Sequence, residues 1–209
     1  MLPLPRPTVF VVDDDAAVQK AVSRLLRAAG IAVAAFASPR EFLAQYDSDT
    51  PGCLVVDLVM PGFGGLQLQR HLDKKGSILP IIFLTGHGDI PKSVQAMKLG
   101  AIDFLTKPVN DQCLLRAVCI AIEKDRLARL DQSQVSELCS RLATLTPRER
   151  EVLEQIVNGK LNKQIAAGLG ITERTIKAHR ARVMAKMKVD SVARLVCLAQ
   201  RCGVTGSSS

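Results

Sequence analysis

The chain has 209 residues and a formal net charge of +8, and only 3% of it is aromatic, with no Trp. That length allows one or two domains and a sizeable core, which is expected to be aliphatic. No apolar run approaches a membrane span and no basic start leads into an apolar segment, so the expectation is a cytoplasmic protein without membrane contact.

Six cysteines stand singly at 53, 113, 119, 139, 197 and 202, without a Cys-x-x-Cys pair. Cys53 falls in a strand pattern, and Cys113, Cys119 and Cys197 fall among apolar helix positions. They are therefore expected to be reduced core thiols, neither a zinc site nor a disulfide framework. Charge is unevenly spread. Residues 1–122 hold 12 Lys and Arg against 11 Asp and Glu, while residues 146–209 hold 12 against 5. The excess positive charge of the last third suits a polyanion partner there.

Thr8 to Val12 is an apolar run ending in Asp13-Asp14-Asp15, a first strand with carboxylates at its tip. Ala16 to Ala29 has helical spacing and stops at Gly30, and Ile31 to Ala37 is the next strand. Ser38-Pro39-Arg40-Glu41 reads as a capping box with Pro at the first helical position. Cys53 to Asp57 is a continuous apolar run closed by a carboxylate and a turn, as in a strand buried on both faces. Leu66 to Lys75 is a short helix before Gly76, and Leu79 to Leu84 is a fourth strand ending at Thr85. Pro91 to Leu99 is helical, Ala101 to Leu105 is a fifth strand before Thr106-Lys107-Pro108, and a longer helix follows from about Asn110. Strands alternating with helices predict a doubly wound parallel α/β sheet.

Right-handed crossovers bring the strand ends to one edge, so Asp13, Asp14, Asp57, Thr85 and Lys107 meet there. Crowded carboxylates favour a divalent cation with oxygen ligands, and Mg²⁺ fits best. Such a cation, with a Lys and a hydroxyl, can neutralise an incoming phosphoryl group.

In these residues, over about 8–122, the chain resembles the receiver domain of two-component response regulators. The resemblance implies a flavodoxin-like sheet of order 2-1-3-4-5 and Asp57 as the phosphoacceptor. It also implies Mg²⁺ held by Asp14, Asp57 and the Val59 carbonyl, with Asp13 acting mainly through water. Lys107 would pair with phosphoryl oxygens, Thr85 would be the switch hydroxyl and Phe104 the switch aromatic, and the Lys107-Pro108 bond would be cis. Thr85-Gly86-His87-Gly88-Asp89 and Ala101-Ile102-Asp103-Phe104 are similar to the FixJ subfamily, with His87 read as a loop residue.

After about residue 113 an amphipathic helix becomes strongly charged at 123–126. Asp131-Gln132-Ser133-Gln134 is expected to interrupt it, before Val135, Leu138, Leu142 and Leu145 return at helical spacing. These are expected to pack on the next domain. The predicted division is a receiver over 1–122, a helical linker over 123–143 and a second, basic domain over 144–209.

Thr146-Pro147-Arg148-Glu149 is a second capping box, opening a helix that Gly159 ends. Asn162 to Ile171 reads as a short helix closing on a glycine turn, Thr172 caps a third helix to about Met187, and a fourth starts at Asp190 or Ser191. A short helix, a glycine turn and a longer basic helix make a helix-turn-helix pattern. Ile176, Val183 and Met187 share an inward face, and basic residues crowd the remainder.

Residues 144–200 resemble the LuxR/NarL-type four-helix DNA-binding domain, through Leu-Thr-Pro-Arg-Glu-Arg-Glu-Val-Leu, Asn-Lys-Gln-Ile-Ala and Thr-x-x-Thr-Ile-Lys-x-His-Arg. By position, Lys177, Ala178 and Ala181 would face bases of double-stranded DNA, and Lys163, Thr172, Thr175 and Arg182 would contact phosphates. His179 is assigned to packing and a backbone contact, and the fourth helix to dimerisation. The reading is a non-enzymatic, phosphorylation-controlled transcriptional regulator that takes its phosphoryl group from a histidine kinase and binds promoter DNA as a homodimer. One alternative is a DNA-binding regulator whose receiver dimerises without phosphorylation. The other is an aspartyl-phosphate phosphohydrolase, which Val59 disfavours by standing where the dehalogenase-type pattern has a second Asp.

Overall fold

The structure, a computed structural model, describes residues 6–86 and 97–204. The chain divides into two compact units, Met1–Arg129 and Leu130–Ser209.

In the first unit five parallel strands, β1 (Thr8–Val12), β2 (Ala32–Phe36), β3 (Gly52–Asp57), β4 (Ile81–Thr85) and β5 (Asp103–Thr106), pair in the order β2-β1-β3-β4-β5. The helices are α1 (Ala16–Ala28), α2 (Pro39–Gln45), α3 (Gly65–Lys74) and α4 (Asp111–Ala143). The helix expected over Pro91–Leu99 lies mostly outside the described residues, as does His87.

Strand periodicity sorts the core into two faces. Phe10, Val12, Leu54, Val56 and Phe83 pack with Phe42 of α2 and with Leu68 and Leu72 of α3. Val9, Val11, Cys53, Val55, Ile82 and Leu84 pack with Val22 and Leu26 of α1 and with Leu114 and Val118 of α4. Each such aliphatic side chain contributes about 1.5–3 kcal/mol on full burial. The core is not purely aliphatic: Phe10, Phe36, Phe42 and Tyr46 form one edge-to-face and stacked cluster. A few aromatic residues gathered in one place supply what their overall scarcity concealed.

Capping follows the sequence closely. The Ser38 hydroxyl accepts from the Glu41 N–H, and Glu41 reaches back one residue further than expected, to the Ala37 N–H at 2.8 Å. Gly65, at the start of α3, has no room for a side chain: a Cβ there would lie 2.4 Å from the Asp57 carbonyl oxygen.

Two further expectations fail. Helix α4 is unbroken over 33 residues, and Asp131-Gln132-Ser133-Gln134 does not interrupt it. The Ser133 hydroxyl is absorbed by donating back to the Leu130 carbonyl within the helix, and Asp131 is held by a long-range pair with Arg201. The cysteines, too, are mostly not core thiols. Cys53 is buried, whereas Cys113, Cys119, Cys139 and Cys197 are exposed and Cys202 is half-buried. In α4, Leu114, Ala117, Val118 and Ala121 take the buried stripe, which turns Cys113 and Cys119 outward.

In the second unit the last turns of α4 precede α5 (Pro147–Val157), α6 (Asn162–Leu169), α7 (Glu173–Met187) and α8 (Val192–Arg201). Leu142 and Leu145 join Val152, Leu153, Ile165, Ile176, Val183, Met187 and Leu195 in one core. Among the described residues no helix is long and apolar enough to cross a membrane.

Candidate functional site

The parallel register builds the acidic site. Val12 pairs with Val56, so Asp13 follows β1 beside Asp57 at the end of β3. Asp57 pairs with Leu84 and Thr85 pairs with Thr106, which places Thr85 and Lys107 on the same edge. Asp13, Asp14 and Asp57 each bring a carboxylate oxygen within 4.8 Å of the others. Asp13 and Asp57 are buried, and Asp14 is exposed.

Lys107 bridges the two buried carboxylates. Its Nζ lies 2.7 Å from Asp13 Oδ2 and donates to Asp57 Oδ2 at 2.9 Å. Burial opposes the ammonium charge, but the bonds to Asp13 and Asp57 outweigh it and hold the lysine above its ordinary pKa. For Asp13 burial dominates and raises the carboxyl, against the lowering pull of Lys107 and of the Asp15 N–H.

The neighbours hold fixed positions. The Asp15 N–H donates to Asp13 Oδ1 at 2.9 Å, and the Val59 N–H donates to Asp57 Oδ1 at 3.2 Å. The Thr85 hydroxyl is buried and donates to the Gly86 carbonyl at 3.0 Å. Phe104 is half-buried against the α2–α3 side of the core, and the Lys107–Pro108 peptide is cis. Three oxygen-rich carboxylates in mutual reach form a donor set that fits a hard divalent cation.

Two supporting residues went unread in the sequence. Gln19 donates from Nε2 to the Asp13 and Phe36 carbonyls at 2.7 and 2.6 Å, bracing the acidic loop. Asp15 caps α1 through the Ala17 N–H at 2.7 Å. The cap was legible in Asp13-Asp14-Asp15 standing before a helix; the amide of Gln19 carried no sequence signal.

In the second unit α6 ends at Gly170, whose left-handed φ of 64° closes the turn before Thr172 caps α7. Ile176, Val183 and Met187 are fully buried, which turns the opposite side of α7 outward. Lys163, Thr172, Thr175, Lys177, Ala178, Ala181 and Arg182 are all exposed. The Thr172 hydroxyl accepts the Thr175 N–H and pairs with the Thr175 hydroxyl, so both also serve the cap. His179 is half-buried, with Nδ1 unpartnered among the described residues.

A half-buried ion pair ties α7 to α5. Glu149 accepts the Thr146 N–H at 2.9 Å and Lys186 Nζ at 2.6 Å, and Lys186 also donates to the Thr144 carbonyl at 2.9 Å. Together these bonds, the Lys186 hydrogen bond foremost, hold the Glu149 carboxyl down at about 2.

Comparison with known proteins agrees with both units. Residues 9–119 match the response regulator receiver domain, and residues 143–199 match the bacterial regulatory proteins of the luxR family. The chain is 45% identical to nodulation protein W of Bradyrhizobium diazoefficiens, over 95% of this chain and 88% of that one. It is 44% identical to the transcriptional regulatory protein FixJ of Azorhizobium caulinodans, over 94% and 93%. Among solved structures it is similar to the response regulator StyR, at 43% identity and a TM-score of 0.82 over 94% of this chain and 99% of that one. Full-length FixJ from B. japonicum matches at 40% identity and a TM-score of 0.57, over 95% and 98%.

Proposed function

This chain belongs to the response regulators that join a receiver to a LuxR-type DNA-binding domain, and from that premise we propose that Asp57 is the residue through which a histidine kinase controls its transcriptional activity. The protein is a phosphorylation-controlled, DNA-binding regulator of transcription. The observation that carries the assignment to Asp57 is the convergence of Asp13, Asp14 and Asp57 within 4.8 Å, with Lys107 bonded to Asp57.

An Asp57 carboxylate oxygen attacks the phosphorus of the kinase phosphohistidine; the P–O bond forms as the P–N bond breaks and the imidazole keeps the electron pair. Asp14, Asp57 and the Val59 carbonyl would hold Mg²⁺, with Asp13 reaching it through water. Bound there, the cation supplies positive charge for the transferring phosphoryl oxygens. Lys107 supplies a second positive charge. Its ammonium already lies at Asp57 Oδ2 and needs only a short shift to reach a phosphoryl oxygen. Thr85 exchanges its bond to the Gly86 carbonyl for one to the phosphoryl group, and Phe104 follows into the space vacated beside it.

We assign the receiver to residues 1–122, the helical linker to 123–143 and the DNA-binding domain to 144–209. Phosphorylation adds roughly −1.5 to −2 charge and favours a homodimer through the receiver and α8. Two copies of α7 then reach half-sites about 34 Å apart on duplex DNA. Lys177, Ala178 and Ala181 face base edges, while Lys163, Thr172, Thr175 and Arg182 contact phosphates. Coupling of this kind is worth about 1–3 kcal/mol, a shift of population and not an absolute switch.

The test is phosphorylation by a small-molecule phosphodonor with Mg²⁺, read by intact mass, sedimentation and binding to promoter DNA. Wild type gains one phosphate, dimerises and binds more tightly; Asp57→Asn does none of these. A variant that still acquires phosphate, or a wild type that acquires none, overturns the assignment.

A further inference from the structure

One i, i+4 stripe of α4 faces the last turn of α8, within the second unit. Asp131 pairs with Arg201, the Val135 carbonyl lies 3.9 Å from the Cys202 Sγ, and the next member of the stripe is Cys139. Cys202 caps the end of α8, directly after Arg201. Cys139 lies one turn beyond Val135 on the same face of α4, and it is the neighbouring thiol that acts on Cys202. No role in phosphotransfer or DNA contact falls on either residue.

We propose that Cys139 and Cys202 form a dithiol site that a peroxide converts to a disulfide, joining the last turns of α4 to the end of α8. Cys139 is the exposed member and meets the oxidant first, while Cys202 is half-buried. Burial first, and then the neighbouring Cys139, raise the Cys202 thiol to about 11. The Cys139 sulfur attacks one peroxide oxygen, giving a sulfenic acid and releasing water. The Cys202 sulfur then attacks that sulfenic sulfur; the S–S bond forms, the S–O bond breaks and a second water leaves. Two thiols and one hydrogen peroxide thus give one disulfide and two waters.

Pairing is selective because the other cysteines are placed differently. Cys53 is buried in β3, with burial first among the causes that raise its thiol to about 12, and Cys113 and Cys119 belong to the first unit. Cys197 is exposed on α8, five residues before Cys202 and therefore not on the same face at the helix end. A disulfide in a protein of this kind is a reversible, sensing one. It acts on the DNA-binding unit without passing through Asp57.

The experiment treats reduced full-length protein with hydrogen peroxide, alkylates the remaining thiols and digests it with trypsin without reductant. The expected product is a linked pair joining residues 130–141 to residues 202–209, in a monomer lighter by two hydrogens. The oxidised form melts at a higher temperature, and reductant reverses both changes. Cys139→Ser, at an exposed position that does not threaten folding, abolishes the link and the melting shift, and Cys197→Ser leaves both intact. Recovery of Cys139 and Cys202 as alkylated thiols or sulfinic acids, or a link formed only between chains, overturns the proposal.

Discussion

Lys107 is hydrogen-bonded to Asp57 at 2.9 Å while its ammonium also stands 2.7 Å from Asp13, so one cation serves two buried carboxylates. A single charge cannot fully compensate both, and the imbalance falls on Asp13, whose carboxyl is raised chiefly by burial. An Asp with a raised folded pKa binds its proton more readily folded than unfolded. Its ionisation therefore costs stability as pH rises above the ordinary 3.8 and through the folded value.

Asp13→Asn is accordingly expected to raise the melting temperature at pH 7 without metal, with the gain shrinking as pH falls toward 3.8. Mg²⁺ reverses the comparison. At a hundredfold excess over its Kd, a cation bound only by the folded state stabilises by about 2.7 kcal/mol. Wild type should gain more from Mg²⁺ than Asp13→Asn does, since the variant offers one carboxylate fewer. Melting curves with and without Mg²⁺ at two pH values check this; a variant less stable than wild type in metal-free buffer at pH 7 defeats it.

The run Glu123-Lys124-Asp125-Arg126 reads in sequence as the strongly charged opening of a linker, and Asp125 within it is buried. Its Oδ2 accepts the Gly52 N–H at 2.9 Å and Arg129 Nε at 2.8 Å, and Arg129 donates to the Asp49 and Thr50 carbonyls. Gly52 has φ 150°, and a Cβ there would lie 1.8 Å from the Thr8 carbonyl oxygen, so only glycine fits at the start of β3. Removing the carboxylate strands a buried N–H and a partly buried guanidinium. Asp125→Ala should cost about 3 kcal/mol, the lower end for breaking a buried pair. Urea unfolding of the first unit measures it, and a loss below about 1 kcal/mol would mean that solvent replaces the carboxylate.

What the sequence made legible was whatever repeats locally. Continuous apolar runs located the five strands to within two residues, and Ser38, Thr146 and Thr172 marked helix starts because capping is decided by neighbours along the chain. Asp13, Asp57, Thr85 and Lys107 could be gathered on one edge because a parallel sheet leaves little choice. Long-range partners were not legible. Nothing near Asp125 points to Gly52, 73 residues away, and nothing near Glu149 points to Lys186, 37 residues away. The continuity of α4 through weak helix formers and the outward turn of most cysteines likewise depend on which stripe tertiary packing selects.

The Glu149–Lys186 pair carries its own pH signature. The Glu149 carboxyl lies at about 2 against an ordinary 4.5, with Lys186 as the main cause. A lowered folded pKa means stability that is fully present above 4.5 and is lost as pH falls from there toward 2. Glu149→Gln keeps the shape of the capping box but not the charge. It should lower the melting temperature of the second unit at pH 7 and flatten its acid dependence between those values. Circular dichroism melts across that range decide it, and an unchanged acid limb would remove Glu149 from the account.

Phosphate and base contacts on α7 can be separated by their salt dependence. Arg182 and Lys177 are both exposed on that helix, flanking the buried stripe of Ile176, Val183 and Met187 on either side. A phosphate contact releases counterions whatever the sequence, so Arg182→Ala should weaken cognate and scrambled duplexes alike and reduce the salt slope by about 1. A base contact discriminates, so Lys177→Ala should cost about 1–3 kcal/mol on the cognate site and much less on the scrambled one. Binding isotherms for both duplexes over a salt series distinguish the two roles. If Arg182→Ala loses only cognate affinity while Lys177→Ala loses both equally, the assignments are exchanged, and α7 enters the groove rotated from the register proposed.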